Sequence, residues 1–176
     1  MPVAGRVRPV PSRALARPMS GRRPMNHQLA QINIGRVRGP LDGEVMREFM
    51  EALDEINALA ERSPGFVWRF KTDAGNATPV QAYADPRLLV NLSVWESVES
   101  LRHYVYRSRH GRFFARRSNW FEKFDAPHLA LWWVPKGALP TLEDAKRRLE
   151  MIAANGDSPA AFTFARIYSP DGEAVS

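Results

Sequence analysis

The residues from Leu88 to Trp95 alternate between the two sides of an extended chain, and this alternation constrains the fold more than any other feature. Successive side chains of a strand point to opposite faces of its sheet, so the run predicts a strand with two different faces. We expect a strand over 87–96. One face carries Leu88, Val90, Leu92 and Val94, and the other carries Leu89, Asn91, Ser93 and Trp95.

Other strands and helices follow in a regular order around this strand. Apolar and β-branched residues predict further strands over 29–36, 65–70 and 128–134. Apolar residues at helical spacing predict helices over 43–62, 98–121 and 141–155, the second with a kink or break near Gly111. The order βαββαβ, with an extra C-terminal helix and a short strand over 161–168, is typical of an α+β ferredoxin-like sandwich.

A sandwich of this kind has helices on one face of its sheet only. The other face would remain in contact with water unless a second subunit covered it. We therefore expect a homodimer that forms an α/β barrel.

Charge is unevenly distributed along the chain. Residues 1–25 contain six arginines and no acid, whereas residues 26–176 contain 19 basic and 19 acidic side chains. A neutral domain lacks the electrostatic footprint of phosphate binding, so we expect no nucleic-acid partner. The composition predicts a disordered leader over 1–25, one domain over 26–168 and a flexible tail over 169–176. The leader is either a targeting segment or the result of a start at Met25.

The absence of cysteine from the sequence narrows the chemistry. It excludes disulfides, thiolate metal sites and a cysteine nucleophile, and it favours a cytoplasmic protein. No apolar run approaches the roughly 20 residues that span a bilayer, so we expect no membrane partner. The motifs GxGxxG, GxxxxGK[ST], GxSxG and HExxH are missing, which argues against nucleotide loops, a nucleophile elbow and a dedicated metal site.

His110 is the first candidate functional residue. At 3.6 residues per turn it shares a helical stripe with aromatic residues, so we expect it to face the interior or a pocket. It is either a structural histidine bonded to a backbone carbonyl or carboxylate, or a base, proton shuttle or metal ligand. The stripe contains Tyr106, Phe113 or Phe114, Arg117, and Trp120 or Phe121.

Polar residues on the predicted strands form a second candidate site. Asn91, Ser93 and Trp95 share a strand face, and Arg69 beside Trp68 can join them. Polar groups among aromatic side chains can orient a small ligand, but they can equally form a buried network at a subunit interface. Trp132, on the fourth strand, can also line the mouth of a pocket.

Several segments resemble known families. LSVWESVESL resembles the strand-to-helix junction of the dimeric α/β-barrel superfamily that includes the antibiotic-biosynthesis monooxygenases. Over about residues 29–165 the chain resembles the family called domain of unknown function 3291. The segments that carry this resemblance are LAQINIGRV, SPGFVWRF, LLVNLSVWESVESLRHYVYRSRH, RRSNWFEKFDAPHLALWWVPKG, PTLEDAKRRLE and AFTF. The superfamily resemblance implies oxygenase chemistry that needs no cofactor.

The same superfamily implies an alternative with haem. Its haem-degrading members use an Asn on the first strand with a Trp and a His on the second helix. Here Asn33 and His110 occupy similar positions, but Tyr104 or Tyr106 replaces the Trp, and the His lies about one turn earlier. The resemblance therefore keeps haem, with His110 as axial ligand, as the alternative to no cofactor.

Three functional hypotheses follow from these residues. The first is a cofactor-independent monooxygenase-like enzyme acting on a small apolar or aromatic molecule, with His110, Asn91 and Arg69 as catalytic residues. The second is a haem protein, and the third is a non-enzymatic ligand-binding or structural dimer. The predicted ligand-binding residues are Asn33, Trp68, Ser93, Trp95, Tyr106, Phe113, Trp120 and Trp132.

Overall fold

The computed structural model describes residues 26–73 and 75–175, and it contains one four-stranded antiparallel sheet. The strands are β1 (His27–Arg36), β2 (Phe66–Arg69), β3 (Leu88–Trp95) and β4 (Leu129–Pro135). They lie in the order β2-β3-β1-β4, which is the order of a ferredoxin-like unit. The α+β class is thus confirmed, whereas the predicted leader lies outside the described residues.

The helices begin close to the predicted residues. They are α1 (Arg47–Arg62), α2 (Val98–Arg102), a π-helical turn (His103–Arg107), α3 (His110–Ala115) and α4 (Leu142–Asn155). Short 3-10 turns over Glu44–Met46 and Arg117–Asn119 precede α1 and follow α3. Thr141 caps α4 as its capping-box sequence predicts, because its Oγ1 accepts a hydrogen bond from the Asp144 amide at 3.1 Å.

The helical segment after β3 is divided at Ser108, three residues before the predicted break. The Ser108 backbone is extended, and its hydroxyl donates to the Tyr104 carbonyl at 2.5 Å and accepts from the His110 amide at 3.1 Å. A serine that bonds to nearby backbone groups in this way competes with the helical hydrogen bonds. The continuous stripe from Tyr106 to Trp120 expected from one helix is therefore absent.

One face of the sheet packs against α4 of the same chain. Its core includes Ile32, Leu92 and Trp132, all buried, against Ala145 and Leu149 of α4. Partly buried side chains from the segment between β2 and β3 complete the cover: Phe70, Ala82 and Tyr83. The prediction of helices on one face only was wrong, because the C-terminal helix folds back over the second face. The homodimer loses that physical basis and stays a prediction.

The opposite face carries two apolar clusters separated by polar residues. The Trp95 cluster consists of Leu29, Ala60, Trp95, Val98, Leu101, Tyr104, Leu131, Phe162 and Tyr168. The Trp120 cluster consists of Val37, Met46 and Trp120 with the half-buried Leu41, Phe49, Met50, Leu89, Phe113 and Phe121. Helix α1 extends from one cluster to the other, since Phe49 and Ala60 lie at its two ends.

The C-terminal segment forms an isolated bridge and a short hairpin. In place of a strand over 161–168, Phe162 forms an isolated bridge with Leu131 of β4. The short strands β5 (Ile167–Tyr168) and β6 (Ala174–Val175) then pair with each other. This hairpin includes residues that were predicted to form a flexible tail.

Candidate functional site

A row of two asparagines crosses the sheet between the two apolar clusters. Asn33 of β1 lies directly opposite Asn91 of β3, so their side chains share the α1-facing side. Asn91 is exposed although β3 is an inner strand with partners on both sides. Within residues 26–73 and 75–175 neither amide side chain forms a hydrogen bond. The row is therefore open to solvent and free to bind a ligand.

The middle of α1 covers this row with apolar side chains. Leu53 and Ile56 are half-buried, yet neither forms part of the Trp95 cluster or the Trp120 cluster. Leu53 and Ile56 lie on the same stripe of α1 as Phe49 and Ala60, which pack on the sheet at either end of the helix, so their helical positions place them on the side of the asparagine row. We call this region the sheet cleft: its floor is Asn33 and Asn91, and its roof is Leu53 and Ile56.

Ser93 and Trp95 belong to a closed hydrogen-bond network beside the cleft. The Ser93 hydroxyl accepts from Gln31 Nε2 and from Trp95 Nε1, each at 2.9 Å, and all three residues are buried. These groups satisfy one another, so they position the strands and are not free to bind a ligand. This is a buried network of the kind expected as the alternative, but it lies within one chain.

Arg69 lies on the same side of the sheet, opposite Ser93. Its Nε donates to Glu61 Oε1 at 2.9 Å and its Nη2 to the Gly75 carbonyl at 2.7 Å, while 11% of its side chain is exposed. Desolvation raises the pKa of Glu61, but Arg69 and Lys71 outweigh that effect and hold it below its usual value. Arg69 therefore closes one end of the cleft as a fixed, largely neutralised cation.

Three rings form a column next to the Ser93 network. Tyr104 stacks on Trp95 with ring centroids 5.0 Å apart, and His110 contacts the Tyr104 ring at 4.6 Å. Burial raises the pKa of the Tyr104 phenol, against a smaller lowering effect of the Arg69 charge. His110 contacts the sheet through Tyr104, since no ring contact joins it to Trp95 in the described part of the chain.

His110 is held by its own backbone neighbourhood. Its Nδ1 lies 3.2 Å from the Val105 carbonyl, which fixes Nδ1 as the protonated nitrogen of a neutral ring. Burial lowers the pKa of His110, and the Val105 hydrogen bond opposes this only partly. Among the described residues Nε2 has no hydrogen-bond partner, and it is not fully enclosed. His110 is therefore a neutral imidazole with one available acceptor.

Other predicted ligand-binding residues lie away from the cleft. Trp68 and Trp132 pack on the α4 side of the sheet, because the alternation of β2 and β4 points them there. Tyr106 is 53% exposed and lies between Phe114 and Phe164 on the surface. Phe113 and Trp120 stack on each other in the Trp120 cluster, at the far end of the cleft.

Sequence reasoning missed the contributions of Leu53, Ile56 and Gln31. The helical period correctly placed Leu53 and Ile56 on the inner side of α1, but it could not show that they cover polar residues. Gln31 alternates with the apolar residues of β1, which places it on the face of Asn33. This alternation was the sequence signal that could have placed Gln31 beside the site.

Two surface grooves lie outside the sheet cleft. One, of about 470 Å³, follows the outer side of α4 beside Arg147 and Glu150. The other, of about 300 Å³, separates α1 from α3 and is lined by Glu55, Arg109, Arg112, Phe113 and Arg116. His110 lines neither groove. A haem would need a slot in line with Nε2, so haem ligation stays a prediction.

Within residues 26–73 and 75–175, no group of three or more His, Cys, Asp or Glu side chains is arranged to hold a metal ion. In the same part of the chain, every helix is too short or too polar to cross a bilayer.

Comparisons with known proteins add a family and weak structural likenesses. The family model described as "Domain of unknown function (DUF3291)" matches residues 28–176. No curated protein matches the sequence.

Three solved structures show a partial likeness. A conserved protein from Methanosarcina mazei Go1 is 18% identical with a TM-score of 0.44, and the match covers 63% of this chain and 94% of that one. SnoaB, a cofactor-independent oxygenase from Streptomyces nogalater, is 18% identical with a TM-score of 0.39, covering 65% and 98%. A Pseudomonas aeruginosa protein is 15% identical with a TM-score of 0.39 and the same coverage. Likenesses of this size support no inference about activity.

Proposed function

The chain belongs to the family described as domain of unknown function 3291, and for this member we propose that the sheet cleft binds a small apolar or aromatic molecule. The exposed, unbonded amide of Asn91 carries the proposal. Asn91 reaches solvent from an inner strand, so its amide can exchange water for a ligand without breaking a bond within the protein. A ligand with one oxygen-bearing group would satisfy Asn91 and Asn33 while its rings contact Leu53 and Ile56.

The reaction we propose for this cleft is oxygenation without a cofactor. An electron-rich ring CH₂ conjugated to a carbonyl takes up one atom of O₂ as a new carbonyl oxygen, and its two hydrogens leave with the other atom as water, so the substrate supplies all four electrons that reduce O₂. Loss of the first CH₂ proton to solvent gives an enolate with negative charge on oxygen, and amide N–H groups at Asn33 and Asn91 can stabilise it. Arg69 closes one end of the cleft, but its pairing with Glu61 leaves it little net charge to offer the enolate. His110 stacks on Tyr104 and not on the asparagine row, so we assign it no step.

Calorimetric titration with 2-naphthol tests the binding proposal. We expect saturable one-to-one binding that Asn91→Leu weakens by about tenfold, the cost of one lost hydrogen bond to a desolvated group. Ser118→Ala, in the exposed turn after α3, is the matched control and should leave binding unchanged. No saturable binding, or equal binding by Asn91→Leu, would overturn the proposal.

Oxygen consumption tests the reaction. With 1,8-dihydroxyanthrone, whose ring CH₂ can become a carbonyl, the protein should consume oxygen faster than buffer alone, and Asn91→Leu should reduce that rate. Binding without any rate above buffer would retain the cleft as a binding site and reject the oxygenase.

A further inference from the structure

Tyr104 joins the ring column to the roof of the sheet cleft. Its ring is buried in the Trp95 cluster, where it stacks on Trp95 with centroids 5.0 Å apart. Its hydroxyl donates to the Ile56 carbonyl of α1 at 3.4 Å. Ile56 lies one helical turn before Ala60, which packs in the same cluster, so the hydroxyl is displaced toward the middle of α1. The phenol therefore lies at one end of the cleft, with its polar atom against the roof.

The hydrogen bond that engages this hydroxyl is long and exchangeable. Its length of 3.4 Å exceeds the usual range of about 2.5–3.0 Å for O–H···O bonds. Because Ile56 is inside α1, its carbonyl also accepts from the amide four residues later and stays satisfied without the phenol. A ligand oxygen below the roof can thus replace this carbonyl as the acceptor at little cost to the fold.

The phenol is held as a neutral donor at this position. Burial raises the pKa of Tyr104, and the charge of Arg69 opposes this only in part, so the hydroxyl keeps its proton at neutral pH. Contacts with the rings of Trp95 and His110 restrict the tilt of the phenol, while its O–H bond stays free to rotate. Ser93, a second hydroxyl near this end of the cleft, belongs to the closed network. Of these two hydroxyls, that of Tyr104 is the one that can turn toward a ligand.

We propose that the Tyr104 hydroxyl binds the ligand of the sheet cleft, and that this ligand carries a second oxygen, a hydrogen-bond acceptor, at the end of its ring system away from the asparagine row. The inference rests on the proposed function, because it concerns the ligand that Asn33 and Asn91 hold. The roof from Leu53 to Ile56 then covers the rings, the asparagines bind one polar end and the phenol binds the other. A ring system with a carbonyl at that end is the class of molecule that fits this arrangement.

Two probes differ only in this acceptor. 5,6,7,8-Tetrahydro-2-naphthol carries the hydroxyl for the asparagine row, and 6-hydroxy-1-tetralone adds a carbonyl to the saturated ring of the same skeleton. Calorimetry on the full chain, at a pH where both probes are neutral, should show that the ketone binds about two- to tenfold more tightly, the range for one net hydrogen bond. The infrared carbonyl stretch of the bound ketone should also lie at a lower frequency than in an apolar solvent.

Tyr104→Phe removes the hydroxyl and keeps the ring contacts. It should abolish the advantage of the ketone, return the carbonyl stretch toward its value in apolar solvent, and leave binding of the tetrahydronaphthol unchanged. Tyr168→Phe is the matched control and should keep the advantage. Tyr168 belongs to the same cluster, is equally buried with 7% exposed, and donates to the Asp157 carbonyl at the same distance of 3.4 Å. Equal melting temperatures would show that both variants fold.

The outcomes separate this inference from the proposed function. Equal binding of the two probes to the unmodified chain, or an advantage of the ketone that survives in Tyr104→Phe, rejects Tyr104 as a ligand-binding group while the cleft remains. An equal loss of both probes in Tyr104→Phe assigns the phenol to packing alone and has the same consequence. If neither probe binds the unmodified chain, the sheet cleft is rejected as a binding site, and this inference is rejected with it.

Discussion

The imidazole of His110 lies on the phenol ring of Tyr104, with ring centroids 4.6 Å apart and planes inclined by 35°. The folded chain favours the neutral form of His110, because a charged imidazole would lose its hydration on contact with the Tyr104 ring. The pH dependence of stability should therefore report on this contact.

Stability should fall as the pH drops below the usual histidine value. Because burial lowers the pKa of His110 in the folded chain, the unfolded chain takes up the proton first. The free energy of unfolding is unaffected above about pH 6.5 and decreases below it. His110→Gln should flatten this part of the profile in urea denaturation, whereas His103→Gln, at an exposed position, should not. If the free energy of unfolding of His110→Gln still decreased as steeply with falling pH, His110 would not be the source of this pH dependence.

The Ser93 network should be costly to break. Ser93→Ala leaves the buried donors of Gln31 and Trp95 without their common acceptor, which we expect to cost about 2–4 kcal/mol of unfolding free energy. Ser118→Ala, at an exposed position, should change stability by less than about 0.5 kcal/mol. Denaturant titration measures both. Equal stability of the two variants would mean that the Ser93 network contributes nothing to the free energy of unfolding.

Periodicity predicted the parts of the fold that depend on local sequence. The alternation in β3 and the capping residue Thr141 both fix an element without reference to any other. Two other features depend on contacts that no local pattern contains. The break at Ser108 requires hydrogen bonds to Tyr104 and His110, and the position of α4 depends on which sheet face it packs against.

The candidate site was predictable to a similar extent. Alternation placed Asn91 and Ser93 on one face, but it could not show that Ser93 is satisfied while Asn91 is free. The same alternation separates Trp68 and Trp132 from that face once the pairing of the strands is known. Site membership thus depended on register, which a single sequence does not reveal.

We expect position 35 to require glycine, because β1 packs closely against the Trp120 cluster there. A Cβ at this position would lie 2.7 Å from the ring of Phe121, which itself packs edge-on against Phe49 at 5.3 Å. Because the ring has little room to move, we expect Gly35→Ala to cost about 1–3 kcal/mol. Gly39→Ala is the control, since its Cβ would meet only Val45 at 3.7 Å. Chemical denaturation that ranks the two variants equally would contradict this close approach.

The cover that α4 provides can be tested from its inner side. Ala145 is fully buried against the second sheet face, whereas Ala153 lies on the exposed side of the same helix. Ala145→Glu should displace α4, because an unpaired carboxylate cannot remain in that interface, and should expose the apolar face that contains Ile32 and Leu92. An exposed face of this kind favours association, so light scattering should show a larger mass for Ala145→Glu than for Ala153→Glu. If Ala145→Glu kept the mass and melting temperature of the unmodified chain, α4 would not be the element that keeps this face from water.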